Sequence, residues 1–395
     1  MRIGIEAQRL LRPHKHGMDI VALEIIHALQ CLDQVNEYFV FVRPDKDEKC
    51  LQLRDNFTLV QLPGANYIHW EQVALPKAVR NYQLDVLHCT ANTAPWLTDV
   101  PLILTLHDVL FLTRTSGVNT ATAYQRLGNL YRALLVPRLM NRCGRILTVS
   151  AYAGQQIKTE LKLPHLRIDV LHNGVSDRFA RPITAAEVLR IRAAYQLPER
   201  YCFFLGSADP RKNLRNVLLA FIQYGQTNQQ TQLVISGERP GFLTQLLTPD
   251  EYAFIQARCR FVGYIHDSDL PTLYGSAEMF LFPSVSEGFG LPILEAMACG
   301  TPVITSTLTA MPEVAGDAAL FVNPHQPGQI AAAMQQLADD PVLRQTLIRR
   351  GKERVTHFSW KRTARQLLAT YQSYDAAQPT NSPVQPRGAY VKTDS

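Results

Sequence analysis

Two glutamates eight positions apart, Glu287 and Glu295, flank a Gly-Phe-Gly turn in the stretch SEGFGLPILEA. Paired carboxylates suggest acid–base work, and glycoside hydrolysis would need both to converge on one bond. Here a strand is predicted to end near Phe282 and a helix to begin near Pro292, so the loop between them holds the two acids apart. A carboxylate accepts two hydrogen bonds side by side, which matches a vicinal diol. Two diols, one at each end of a ligand, suit this spacing better than a single bond. Gly288 and Gly290 let the backbone turn sharply and approach that ligand. Free N–H groups at the helix start favour an anion or a hydroxyl oxygen. Taken singly, Glu295 reads as an ordinary first-turn glutamate favoured by the helix dipole. The coincidence of strand end, paired glycines and helix start is what marks the cassette as functional.

A second stretch, FLGSADPRKNLRNVLLAF, ends a strand at Leu205, opens a loop at Gly206 and offers Asn213 as a helix cap. Arg211 and Lys212 stand just before that helix and add their charge to its positive end. A diphosphate requires this concentration of donors, above all as it becomes a leaving group. On its own the pair reads equally well as a solvated basic turn. In PLILTLHDVLF an apolar strand ends in His107-Asp108, and a lone histidine there is more often structural. Asp267-Ser268-Asp269 and Asp45-Lys46-Asp47 have the D-x-D spacing that can hold a divalent metal on a diphosphate. Asp267 reads as a helix cap and Asp45-Lys46-Asp47 as part of a charged surface run, so both are taken as structural.

These residues need a scaffold. Short apolar runs alternate with amphipathic segments along nearly the whole chain: Arg2–Ala7, Tyr38–Val42, Leu84–His88, Leu102–Leu106, Arg145–Ser150 and Asp169–His172 in the first half. Tyr201–Leu205, Gln232–Ser236, Cys259–Val262, Met279–Phe282, Pro302–Thr305 and Ala319–Val322 follow in the second. Strands alternating with helices imply parallel sheets covered on both faces. The break near Asp177–Pro198 divides them into two doubly wound, Rossmann-like domains, and a ligand belongs beyond the carboxyl ends of the strands. The expected organisation is a first domain over 1–180, a second over 181–357, a closing helix over 358–375 that packs back on the first, and a disordered tail over 376–395.

Composition narrows the class. A chain of 395 residues exceeds one ordinary core, and 46% hydrophobic with 19% charged residues describes a globular protein. A net charge of +6 suits a phosphorylated ligand or an anionic surface but is too small to imply nucleic acid. Seven scattered cysteines without C-x-x-C argue against a disulfide framework or zinc and favour a reducing cytosol. The opening MRIGIEAQRLL reads as a strand rather than a signal peptide, and no apolar stretch is long enough to span a bilayer. From Val109 to Thr159 there are seven Lys/Arg and no Asp or Glu. Within this stretch Arg126, Arg132, Arg138, Arg142 and Arg145 interleave with apolar residues. That pattern fits a core-facing helix with a solvated basic side, or equally a helix resting on anionic lipid heads.

EGFGLPILE followed by AMACGTPVI resembles the E-x7-E signature of the retaining glycosyltransferases of family GT4, and the likeness covers most of the chain, most strongly Tyr201 to Val322. The resemblance implies the GT-B fold, two Rossmann-like domains facing across a cleft, with the donor in the second and the acceptor in the first. By that analogy Glu287 meets hydroxyls of a donor sugar and Glu295 the ribose of a nucleotide. The backbone of Phe289, Gly290 and Leu291 touches sugar and phosphates, and Gly206 belongs with Arg211 and Lys212 to the element neutralising the diphosphate. His107 reaches the donor sugar, and Tyr264 and Ile265 border the base. Gly17 keeps half of a glycine-rich loop whose neighbour here is Met18. The likeness extends to bacterial mannosyl- and glucosyltransferases of surface polysaccharide synthesis, with a lean to GDP-mannose. It implies a nucleotide-sugar co-substrate, no resident cofactor or metal, a glycan or lipid-linked acceptor, and a place in the cytoplasm, at the inner face of the plasma membrane where lipid contact is made. Two alternatives stand beside it: a sugar phosphorylase on the same fold and a non-catalytic nucleotide-sugar or glycan binder.

Overall fold

The computed structural model describes residues 1–112, 123–206, 209–237, 241 and 243–375. The expected tail 376–395 lies outside them. Two all-parallel sheets organise the chain. The first comprises β1 (Arg2–Glu6), β2 (Glu37–Val42), β3 (Phe57–Gln61), β4 (Val86–Cys89), β5 (Leu102–Leu106), β6 (Arg145–Thr148) and β7 (Asp169–Val170), in the order β3-β2-β1-β4-β5-β6-β7. The second comprises β8 (Tyr201–Phe204), β9 (Gln232–Ile235), β10 (Cys259–Phe261), β11 (Met279–Phe282), β12 (Val303–Ser306) and β13 (Ala319–Val322), in the order β10-β9-β8-β11-β12-β13. Sheet order reverses between β1 and β4 in the first and between β8 and β11 in the second. Such switch points open a crevice at the carboxyl ends of the strands.

The central strands are apolar throughout because helices cover both faces; β5, β8 and β11 are buried at every position. β3 was absent from the sequence expectations. It is an edge strand in a polar neighbourhood, and only Phe57 and Val60 of FTLVQ are buried. The seam expected near Asp177–Pro198 holds a helix, Ala185–Tyr195, whose buried Ile191 joins the second domain's core. The Trp360–Asp375 helix returns to the first domain. Trp360, Ala364, Leu367 and Tyr371 pack in one cluster with Ile3, Ile5, Ile26 and Leu29. The Tyr371 hydroxyl also lies 2.8 Å from His88 Nδ1 inside the first sheet.

Candidate active site

At the second switch point, the loop after β8 carries the basic pair and the loop after β11 carries Glu287. Lys212 Nζ and Glu287 Oε1 are 2.7 Å apart, and both side chains are largely shielded from solvent. Lys212 also stands over the Phe282 ring, 5.0 Å from its centroid. Val285 N–H donates to the Arg211 carbonyl at 2.8 Å, tying the two loops together. Asp209, ahead of Pro210, accepts the Arg211 backbone N–H at 2.9 Å and grips the guanidinium through Nε at 3.0 Å and Nη2 at 2.6 Å. Burial works to raise the Asp209 carboxyl, but its bonds to Arg211 hold it below its ordinary range. The guanidinium is thereby oriented before any ligand arrives.

Asn213 does not cap the following helix with its side chain. It adopts the left-handed conformation (φ 66°), and its Nδ2 bridges the carbonyls of Pro283 at 3.0 Å and Pro324 at 2.6 Å. Holding three loops at the ends of three strands takes precedence over a cap. Asp267 is not the expected cap either, and the first domain's Gly17–Leu32 helix is capped from outside its acidic residue. His16 occupies the cap position of the Gly17–Leu32 helix while Asp19 accepts the His16 N–H at 3.0 Å from the third helical position. Asp269, not Asp267, precedes the Leu270–Gly275 helix, and its carboxylate is taken by Arg190 at 2.8 Å and Tyr195 at 3.0 Å. Among the described residues no three His, Cys, Asp or Glu side chains cluster as metal ligands would.

The loop from Gly288 to Leu291 is shaped by its glycines. Gly290 has φ 106° and precedes the Leu291–Ala298 helix, with Pro292 in its first turn as expected. The N–H groups of Phe289, Gly290 and Leu291 donate to no described protein group, so they remain available to an incoming oxygen. The Phe289 ring is buried in the second domain's core, leaving its backbone as the accessible part. Gly288 touches the other domain: a Cβ there would lie 2.3 Å from the His107 carbonyl oxygen. Ser150, at the head of the Ala151–Glu160 helix, donates to the Gly288 carbonyl at 2.6 Å.

Glu295 lies deeper than a first-turn glutamate. It occupies the second turn, is 9% exposed and accepts the Tyr274 hydroxyl at 3.0 Å. Burial, chiefly, pushes its carboxyl up to about 7; the charges of Asp267 and Glu24 add to this, while Tyr274 and Arg178 oppose it. A raised folded-state value is stabilising at low pH, and that stability is lost as pH rises from the ordinary 4.5 through about 7. Glu295→Gln is therefore expected to gain on the parent protein between pH 5 and pH 8, by roughly 3 kcal/mol at the upper end. Paired thermal melts across that range check it; melting temperatures that run parallel would contradict the assignment.

His107 is buried, with its Nε2 2.8 Å from the Thr90 carbonyl and its N–H donating to Asn92 at 2.6 Å. Burial is the main influence lowering its pKa, which keeps the ring neutral, and the charges of Arg9 and Asp19 also act on it. Nδ1 bonds to no described residue. Asp108 accepts the Leu110 N–H at 3.2 Å, and its charge is felt by Arg211. Tyr264 is 46% exposed and meets His14 of the first domain edge-on at 4.3 Å. Ile265 differs: its side chain joins the core, so only its backbone is left to border a ligand. Gly206 packs where a Cβ would fall 2.1 Å from the Phe204 ring, a steric need that accounts for it without a ligand. Around Gly17, its chain neighbours and own helix backbone aside, no atom of the described residues lies within 4 Å of an added Cβ, leaving open space beside the helix start.

Sequence reasoning overlooked Glu313. It accepts the Ala151 and Tyr152 N–H groups at 2.8 and 3.0 Å at the head of a first-domain helix, and His172 Nε2 at 2.8 Å. Burial works against its ionisation, yet these bonds keep it below the ordinary range. Nothing in the local pattern of MPEVA signals a partner 162 positions away.

Comparisons with known proteins agree with this geometry. A family model described as "Glycosyltransferase Family 4" matches residues 16–179, and one described as "Glycosyl transferases group 1" matches residues 189–354. The O-antigen chain mannosyltransferase B of Escherichia coli is 37% identical over 231 residues, 57% of this chain and 60% of that protein. The chain thus spans less than two thirds of that relative's length. Sucrose-phosphate synthase from Thermosynechococcus elongatus superposes with a TM-score of 0.75 at 20% identity, covering 96% of this chain and 100% of that one. Anabaena HepE in complex with UDP and glucose gives 0.70 at 17% identity, covering 94% and 100%. Two matches that run through both halves, on two facing parallel sheets, place the chain in glycosyltransferase family GT4, with the GT-B fold.

Proposed function

We propose that this protein transfers a hexose from a nucleotide diphosphate sugar to an acceptor hydroxyl with retention of anomeric configuration. The reading is carried by the Lys212–Glu287 pair at the β8/β11 switch point, with Glu287 in the loop that also carries the N–H groups of Phe289 to Leu291. An ammonium has three donors, so Lys212 can keep Glu287 and still meet a phosphate oxygen. Arg211, held by Asp209, adds a second fixed charge. Together they stabilise the departing diphosphate, the charge a metal would otherwise supply. Glu287 and His107 fix the sugar, and Glu295 takes the ribose.

The acceptor oxygen forms its bond to the anomeric carbon on the face from which the phosphate oxygen departs. Its proton passes to that phosphate oxygen, and the nucleoside diphosphate leaves. Likeness to an O-antigen mannosyltransferase supports a lean to GDP-mannose and to polysaccharide or lipid-linked glycan synthesis. A panel of nucleotide sugars, assayed for nucleoside diphosphate release in the presence of a chelator, tests the reading. Release from one donor is expected, and silence across the panel would sink it. Phosphate-dependent release of sugar without nucleotide would instead favour the phosphorylase, and donor binding without turnover the non-catalytic binder.

The lipid contact belongs to the same reading. The Ala123–Leu139 helix buries Val136 and Leu139 but exposes Leu127, Leu130 and Leu134 at 59, 56 and 54%. Exposed Arg138 reaches back to the Leu134 carbonyl, and the exposed Arg142 covers the Trp96 ring at 4.7 Å. A row of leucines at helical spacing with cations beside it suits the headgroup layer of an anionic bilayer. No helix among the described residues is long and apolar enough to cross one. The protein is expected to float with anionic liposomes, and Leu130→Glu/Leu134→Glu to abolish flotation while donor turnover in solution persists. Equal flotation of both proteins would remove the proposal.

A further inference from the structure

The first domain has its own switch point, between β1 and β4, and the chemistry gathered beside it is unlike that of the second. A cavity of about 250 Å³ is lined by Gln8, Arg9 and Arg12 from the loop after β1, by Arg43, Pro44 and Asp45 from the loop after β2, and by Tyr67. Three guanidiniums thus face a space with one carboxylate on its wall. Arg12 and Arg43 pair with no carboxylate among the described residues. Arg9 spends its Nε on Asp19 at 3.1 Å, while its Nη2 is buried and bonded to nothing described. Beside it Gln8, 5% exposed, likewise has a buried Nε2 without a partner.

Two adjacent buried donors left unsatisfied are costly, on the order of 1–3 kcal/mol each, and structures seldom keep them without a reason. The cavity wall is rich in donor side chains, which suits a ligand that only accepts. The planar fork of a guanidinium matches phosphate oxygens, and the forks of Arg12 and Arg43, with the Arg9 charge beside them, exceed what a neutral sugar needs. The acid behind this wall does not oppose an anion strongly: burial pushes Glu6 up to about 7, so much of it is uncharged at neutral pH. The Tyr67 hydroxyl is turned to Thr93 at 2.5 Å and Glu71 at 3.2 Å, which leaves its ring edge as wall. The charge of Arg9 is also felt at His107.

We infer that Gln8, Arg9, Arg12 and Arg43 form an acceptor subsite that holds a phosphate ester carried by the acceptor sugar. This rests on the glycosyltransferase reading and deepens it by naming the class of acceptor. The volume is enough for a phosphate and part of one sugar ring, and small for a whole nucleotide.

Mannose 6-phosphate, mannose 1-phosphate, inorganic phosphate and mannose serve as probes, titrated into the full chain and into Arg12→Gln/Arg43→Gln. Neither arginine has a side-chain partner among the described residues, so the variant is expected to fold, and its melting temperature verifies that. A sugar phosphate should bind more tightly than either mannose or inorganic phosphate and lose about tenfold or more in affinity in the variant. Nucleoside diphosphate affinity should stay within about twofold. Three results would overturn the proposal: mannose binding as well as its phosphates, no loss in the variant, or a parallel loss of nucleotide affinity, which would give the cavity to the donor. Inorganic phosphate binding as tightly as the sugar phosphates would overturn it too, reducing the cavity to a bare anion site. The donor panel is independent of these arginines, so failure here leaves the transferase reading standing, and failure there leaves this cavity to be judged by binding alone.

Discussion

Lys212→Ala is expected to lower turnover by about 10²–10³-fold, some 3–4 kcal/mol of transition-state stabilisation. Nucleotide-sugar affinity should change far less, because the diphosphate carries most of its extra charge only as the bond breaks. Removing the ammonium has a second effect peculiar to this geometry. Glu287 loses the partner it holds at 2.7 Å and becomes an unpaired, shielded carboxylate beside an anionic donor. Lys212→Ala/Glu287→Gln should therefore bind donor better than Lys212→Ala while recovering none of the turnover. Single-turnover rates and equilibrium binding separate the two effects. Unchanged turnover in Lys212→Ala, with folding and donor binding intact, would end the leaving-group assignment.

Gly288→Ala should cost turnover on a similar scale, about 10²-fold, by a different route. The added methyl would lie 2.3 Å from the His107 carbonyl, a backbone atom that cannot swing aside. Either the Gly288 loop or the first-domain strand end must retreat, parting His107 from the sugar and loosening the Ser150 bond. Since Gly288 is not at positive φ, the penalty comes from contact between domains rather than from backbone strain. On the proposed reading, turnover should fall while binding of the nucleoside diphosphate by the second domain stays near normal. A melting temperature lowered along with nucleotide binding would instead mean that the second domain itself had been damaged.

How much of this was legible follows the range of the interactions. Twelve strands could be read because most are dense apolar runs between polar turns; β3 escaped because it buries two side chains and sits at an edge. The candidate cassettes at Arg211–Lys212 and Glu287–Glu295 were legible as strand end, glycine turn and helix start because these are consecutive in the chain. What a residue's side chain does once there was not. Asn213 occupies a cap position, but its amide finds two carbonyls brought by distant loops. Ile265 and Tyr264 are neighbours in sequence and face opposite ways, one into the core and one toward His14. The Asp209 brace was within reach, since Asp-Pro-Arg is a local turn pattern. The orphaned donors of Gln8 and Arg9 were not, because only the packed fold says which amides go without partners.

The helix from Trp360 to Asp375 bears on how the protein is made. It supplies Trp360, Leu367 and Tyr371 to the first domain's core, and Tyr371 reaches His88 across 283 positions of chain. A ribosome delivers the first sheet long before that helix, so the nascent first half must wait with an apolar groove uncovered while the second domain is synthesised and folds. Cutting the gene at the seam would yield a sticky, incomplete first half, whereas a circular permutant that begins with this helix would carry its cover from the start.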